Sequence, residues 1–511
     1  MLAFSFKRHD LSLDRPELEG LAGEIALRAV EEPQQLVVAA CHARQREPGA
    51  LPDIVVVDLG DGCTEAALEL RFHGEQVLSL PLERVILGEI ELERENADVS
   101  AGHTRSIVTV RFRLWMIPAG VAIAAWIVSA VSLYRTSVPA SLSLPGIDPS
   151  DYWSAGELER AESFERFLSV DRLLAPLAGA VALFVLSVRA PRFARGTGLG
   201  PVGAGIIVGM VTIVVLTAIS IPFDLAEQWW YRRHGLSHES YLEWLVAPWS
   251  SLGVLAVLTL FLIAVTMALA RWIGRLWWVA GAPVFIALAA FFAFVFPYIG
   301  QYNERPISTQ PELAASLPEL ESRSGAGPTD VRIAEVSETT SLVNAYTEGL
   351  GPSERVVLWD TFLDGRFSVD EVRVVLAHEL AHVSHSHIWK GLAWYALFAF
   401  PLALGVGELT RRRGGMGEPG NVPLAALILV ILSFGLSPIE NAITRRYEAE
   451  ADWTALEATK DASSAEHLFV SFVGSDLADP TPSFWEQQLF GSHPSVADRV
   501  AMTQAWAERN R

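Results

Sequence analysis

Seven apolar runs govern what this chain can fold into. They lie at Leu114–Leu133, Leu173–Val188, Val202–Ile221, Leu252–Ala270, Trp277–Phe296, Gly391–Leu409 and Val422–Ser437. Most approach the roughly 20 residues that a helix needs to cross a bilayer. Pro118, Pro176, Pro283 and Pro401 fall inside these runs, which a helix bundle tolerates where neighbours re-satisfy the backbone. Hydrophobic residues make up 51% of the chain and charged ones 19%, a balance that belongs to membrane proteins. The expected fold is therefore mainly α, a multi-pass membrane protein of about seven spans. Its expected location is the cell membrane if the source is prokaryotic.

Three polar regions interrupt or flank the spans. Residues 1–105 read as a small soluble α+β accessory domain, because β-branched runs such as Ile54-Val55-Val56-Val57 alternate with acidic turns such as Gly60-Asp61-Gly62. A further strand is expected at Ser106–Val110. The mixed, charged residues 1–30 do not read as a cleavable signal peptide. Five spans follow within residues 106–297, a polar insert occupies 298–390, two spans fill 391–438, and a second polar region runs over 439–511. The insert is expected to hold two strands, Asp330–Val336 and Arg355–Trp359, and the last region a charged helix over Glu440–Thr459. These two regions flank one helical hairpin, so they can meet on one side of the membrane. The net charge of −20 argues against nucleic acid as a partner. The two cysteines, Cys41 and Cys63, allow neither a disulfide framework nor a cysteine-rich metal site.

The insert carries the chemistry. His378-Glu379-Leu380-Ala381-His382 reads H-E-x-x-H within a helical run expected over Val369–Lys390. Residues four apart share a helix face, so His378 and His382 can aim their imidazoles at one zinc ion. Glu379 is turned about 100° from His378 and can act on a water molecule without binding the metal. Val372, Val375, Leu376, Leu380 and Val383 make the run too apolar for a solvated helix. Zinc needs a third protein ligand. His385, His387, Glu448 and Glu450 are the available side chains. His385 shares the face of His382, but a straight helix cannot bring three such residues to one ion. Glu448 stands four residues before Asp452, and that pair could give one carboxylate to the metal and one to a histidine's other nitrogen. Glu450, about 200° around the helix from Glu448, should face solvent or a neighbouring helix.

These residues resemble the CaaX prenyl protease 1 family of seven-span membrane zinc metalloendopeptidases. The resemblance is carried by Asn344-Ala345-Tyr346, Gly349, Arg355 to Thr361, Phe367-Ser368 with Asp370-Glu371, the H-E-x-x-H helix with His387, Arg445-Arg446-Tyr447-Glu448 with Ala451-Asp452, and His493-Pro494 with Arg499. It covers roughly residues 110–505. Ala381 stands where the family usually has glycine, and Thr444 where serine is usual. The resemblance implies a gluzincin-type zinc peptidase domain with one Zn2+ per chain, held by His378, His382 and Glu448, with Asp452 behind a ligand histidine. It implies Glu379 as the general base and His493 as a contact to the substrate or its oxyanion. Asn344, Ala345 and Tyr346 would form an edge strand that pairs with an extended substrate. Substrates would be peptides or proteins presented at the bilayer, prenylated C-terminal tails among them. In a cell without protein prenylation, a heat-shock type of membrane-protein quality control is the alternative. A transporter or an inactive scaffold is the rival from another class, yet an inactive scaffold usually loses a ligand or the base, and all are present here. Basic residues of the short loops favour the side of the N-terminal region, placing the zinc domain opposite, whereas the resemblance implies a cytosolic catalytic domain.

Overall fold

The computed structural model describes residues 116–299 and 303–511, together with four strands nearer the N-terminus. Contacts divide the chain into two units, 1–128 and 129–511. In the first, β1 (Val37–Val38) pairs antiparallel with β2 (Val55–Val56), and β3 (Ala67–Phe72) with β4 (Glu75–Pro81). The expected strand around Val55 is thus found, while the one at Ser106–Val110 lies outside the described residues.

Eleven longer helices are named here in chain order: α1 (Met116–Leu133), α2 (Ala155–Gly196), α3 (Pro201–Arg233), α4 (Trp249–Trp272), α5 (Trp277–Ile299), α6 (Pro311–Ser324), α7 (Val369–Ser384), α8 (His387–Arg411), α9 (Val422–Thr459), α10 (Ala462–Ser475) and α11 (Val496–Arg509). Among the described residues, six are long and apolar enough to cross a membrane: α2, α3, α4, α5, α8 and α9. The first expected span corresponds to α1, whose Gly120–Leu133 stretch stands apart as a shorter apolar helix. Six long helices and this shorter one thus occupy the seven expected positions. Their outer faces carry large apolar side chains, Phe184 at 59%, Val257 at 70% and Phe291 at 55% exposure. Such a surface is at home only against lipid.

Two of the helices that outrun the bilayer, α2 and α9, position the site. At about 1.5 Å per residue, the 42 residues of α2 and the 38 of α9 far exceed a hydrocarbon core of about 30 Å. The charged first half of α2 is therefore polar-domain structure. α9 runs unbroken through Pro438, so the apolar run ending at Ser437 and the charged helix expected after it are one element. Glu448, Glu450 and Asp452 stand on the rigid extension of a membrane helix.

The polar domain holds a four-stranded sheet of β5 (Glu304–Pro306), β6 (Asp330–Ala334), β7 (Ala345–Glu348) and β8 (Arg355–Trp359), in the order β5-β6-β8-β7. β6 and β8 match the two expected strands within two residues. β8 is parallel to β6 and antiparallel to β7, which leaves β7 on the edge. Buried Arg355 ties three strands together: its guanidinium lies 2.7 Å from Glu304 of β5 and 2.6 Å from Glu348 of β7. Gly349 then turns the chain at φ +94°, where a Cβ would strike the Ser353 carbonyl, so only glycine fits. One apolar core, including Ile333, Leu358, Leu376, Leu456, Leu468 and Val500, joins β6, β8, α7, α9, α10 and α11.

Candidate metal centre

α7 begins at a capping box. The Ser368 side chain accepts from the Glu371 amide at 3.3 Å, and the Glu371 carboxylate accepts from the Ser368 amide at 2.6 Å. The cap fixes the helix register, and α7 is buried continuously from Val374 to Ala381. His378 and His382, one turn apart, bring their Nε2 atoms to 3.1 Å. Glu448 comes down from α9, with Oε2 3.2 Å from His378 Nε2 and Oε1 3.6 Å from His382 Nε2. One ligand atom from each of His378, His382 and Glu448 lies within 4.8 Å of the others, and among the described residues this is the group able to hold a metal ion.

The donor set fits a cation. His378 Nδ1 lies 2.9 Å from Asp452 Oδ1, and since a carboxylate only accepts, a neutral His378 carries its proton on Nδ1 and presents a lone pair at Nε2. That lone pair faces a carboxylate oxygen, Glu448 Oε2, which is buried without a hydrogen bond. A buried acceptor left so is costly, whereas a metal ion satisfies it. Asp452 is itself held by Arg499, Nε to Oδ2 at 2.9 Å and Nη2 to Oδ1 at 2.6 Å, and the guanidinium stacks 4.1 Å above the Phe469 ring. Burial alone would depress the His378 imidazole, but Asp452 and Glu448 override it and raise its pKa. Burial drives His382 the other way, towards the neutral form that binds metals.

Glu379 is buried beside this group, and burial pushes its carboxyl up to about 7. Thr347 of the edge strand holds it, with Oγ1 2.9 Å from Oε2 and 3.0 Å from its backbone oxygen. Sequence reasoning stopped one residue short of Thr347. Strand alternation was the available signal, because Ala345 and Thr347 share a face. Ala345 and Tyr346 belong to β7. Exposed Asn344 precedes the strand, and its carbonyl accepts from the Trp359 amide at 2.9 Å. His493 faces the group from the C-terminal segment, Nε2 3.3 Å from Glu448 Oε2. A cleft of about 490 Å³ joins these parts, lined by Asn344, Ala345, His378, Glu379, His493 and Arg499. Glu165 and Arg172 of α2, 3.2 Å apart, line it as well, a contribution that the sequence reading did not foresee.

One expectation needs correction and another is narrowed. The helix expected to continue to Lys390 ends at Ser384, and Ser386 adopts a left-handed φ of 54° before α8 starts at His387. Asparagine or glycine usually marks such a position, and neither is present. The chain does bend after His382, but it carries His385 away from His378 and Glu448, with Nε2 2.9 Å from Thr454 Oγ1. Glu450 faces a neighbouring helix, one of the two places expected for it. It is 2% exposed and bonded to His387 Nε2 at 3.0 Å, so it is a buried carboxylate with a histidine partner.

The edge of the cleft gives a pH-dependent stability. Asp476, just past α10, accepts from the Val343 amide at 3.0 Å and so anchors the residue before Asn344. Burial pushes its carboxyl up to about 6, against the opposing Val343 and Ser475 hydrogen bonds. The folded state therefore binds this proton more tightly than the unfolded one. That stabilisation is complete below about pH 4 and is lost as pH rises through 6, with a total on the order of 3 kcal/mol. Asp476→Asn keeps an acceptor and removes the titration. The melting temperature of the metal-free variant in detergent should thus exceed that of wild type at pH 7.5 and match it at pH 4.5. Equal melting temperatures at both pH values would remove Asp476 as the cause.

Comparison with known proteins agrees with this geometry. A model of peptidase family M48 matches residues 307–507, the stretch that contains every residue of the centre. An uncharacterised metalloprotease of Bacillus subtilis, YhfN, is 23% identical over 425 residues, spanning 76% of this chain and 96% of that protein. A CAAX prenyl protease 1 homologue of Dictyostelium discoideum is 26% identical over 241 residues, 44% of this chain and 53% of its own length. The crystal structure of S. mikatae Ste24p superposes with a TM-score of 0.60 over 75% of this chain and 96% of that one, at 17% identity, and so shares the fold. Residues 307–507 are thus similar to peptidase family M48, and the chain is a multi-pass membrane metalloendopeptidase.

Proposed function

We propose that His378, His382 and Glu448 hold one zinc ion and that Glu379 is the general base for peptide-bond hydrolysis. The observation that carries this reading is the convergence of two histidine nitrogens and an unbonded buried carboxylate oxygen within 4.8 Å, with Glu379 alongside but outside the group. Two nitrogens and an oxygen at this spacing suit zinc, with a position left open for water. Bound there, zinc would acidify the attacking water and polarise the scissile carbonyl. Glu379 takes the proton from the water and delivers it to the leaving amine. Its elevated pKa suits both halves of that transfer, and a neighbouring cation would favour its ionised form. Thr347 keeps the carboxylate aimed into the cleft. His493 stands on the open side, where its imidazole can donate to the oxyanion.

An extended substrate adds to the edge strand β7, its backbone pairing with the free edge from Asn344 through Tyr346. Such pairing fixes the scissile bond beside Glu379 and is largely indifferent to side chains. The bilayer setting restricts substrates to peptides of membrane-associated proteins, including C-terminal tails that reach the cleft. Chelation should abolish cleavage of a quenched fluorescent peptide by the detergent-solubilised protein, and added zinc should restore it. Cleavage that survives complete metal removal rules the reading out.

A further inference from the structure

We propose that His387 and Glu450 form a second relay, which fixes the tautomer and orientation of His382 as Arg499 and Asp452 fix those of His378. The inference rests on the ligand set proposed above. His387 Nδ1 lies 2.9 Å from His382 Nδ1, and its Nε2 lies 3.0 Å from Glu450 Oε2. A carboxylate only accepts, so a neutral His387 carries its proton on Nε2 and offers a lone pair at Nδ1. His382 Nδ1 must then be the donor, which leaves His382 Nε2 as a lone pair directed at His378 Nε2 and Glu448. The order of donors, His382 to His387 to Glu450, permits no other neutral arrangement. Histidine ligands of metals commonly donate their second nitrogen to a fixed acceptor; here that acceptor is another histidine.

The relay is held rigidly. The His387 ring stacks on Tyr447 at 4.7 Å and 14°. The Tyr447 hydroxyl is pinned in turn, accepting from Trp394 Nε1 at 2.8 Å and donating to the Leu133 carbonyl at 2.7 Å. Glu450 accepts from the Ser137 amide and lies 3.4 Å from Lys390 Nζ. The left-handed Ser386 folds His387 back over His382, so the break between α7 and α8 has a purpose. Glu448 and Glu450, two residues apart on opposite faces of α9, then serve the same histidine: Glu448 faces its Nε2, and Glu450 faces its Nδ1 through His387.

The test measures Zn2+ affinity of the metal-depleted, full-length protein by chelator competition, with metal-free melting temperatures as the folding control. Glu450→Gln and His387→Phe should each weaken zinc about 10- to 100-fold, and the double variant should bind no more weakly than the weaker single one. His387→Asn keeps an acceptor near the Nδ1 position, so it should retain more affinity than His387→Phe and become insensitive to Glu450→Gln. A purely structural role predicts additive losses that follow the metal-free melting temperature, with no rescue by asparagine. Wild-type affinity in Glu450→Gln, or additive effects in the double variant, overturns the relay. If His387→Phe does not fold, Glu450→Gln and His387→Asn carry the same decision. Glu448→Gln, measured in parallel, separates the two levels: retained zinc there refutes the ligand set, whereas lost zinc with unaffected Glu450 and His387 variants refutes the relay alone.

Discussion

Glu379→Gln should lower peptidase turnover by about 10²- to 10⁴-fold while leaving the bound metal in place. The amide preserves the shape of the side chain and can still meet the Thr347 hydroxyl, 2.9 Å from Oε2 in the native protein, but it cannot take a proton. Glu379 is absent from the group of ligand atoms that converge within 4.8 Å, so metal content should match wild type. The native carboxyl, raised by burial, is favoured in its neutral form, and an amide in its place should not destabilise the fold. Turnover of a fluorescent peptide and metal per chain, measured on one preparation, separate these effects. Undiminished turnover in the variant removes Glu379 as the base, and lost metal would give it a ligand's role.

The sequence made some layers of this molecule legible and hid others for physical reasons. Apolar runs of about 20 residues announce spans because lipid accepts little else, and the six long helices lie where the runs predicted. The strands Asp330–Ala334 and Arg355–Trp359 were visible as short β-branched runs between turn residues. His378 and His382 were legible because spacing on a helix is a local property. What stayed hidden depends on tertiary context. Ser386 adopts a left-handed conformation without the glycine or asparagine that signals one, so α7 was read as running on through His387. Pro438 was read as a boundary, although α9 continues through it. Glu450 was read by its angle from Glu448 alone. That angle is correct, but only the position of α8 shows that the opposite face meets a histidine. The charged first half of α2 lies outside the apolar run Leu173–Val188, because polar residues carry no signal of a span.

Glu448→Gln should strip the metal and abolish activity together. In the proposed site the Glu448 carboxylate would supply charge that offsets a dication, and an amide oxygen would be a far poorer ligand. Asp452, one turn further along α9, stays bonded to His378 and Arg499, so the fold and the histidine tautomer should survive the change. The parallel loss separates Glu448 from Glu379, whose variant keeps metal without turnover. The direct measurement is zinc per chain by elemental analysis of the purified, detergent-solubilised Glu448→Gln variant beside wild type, after equilibration with equal limiting zinc. The account predicts close to one zinc per chain for wild type and almost none for the variant; equal zinc in both would contradict it.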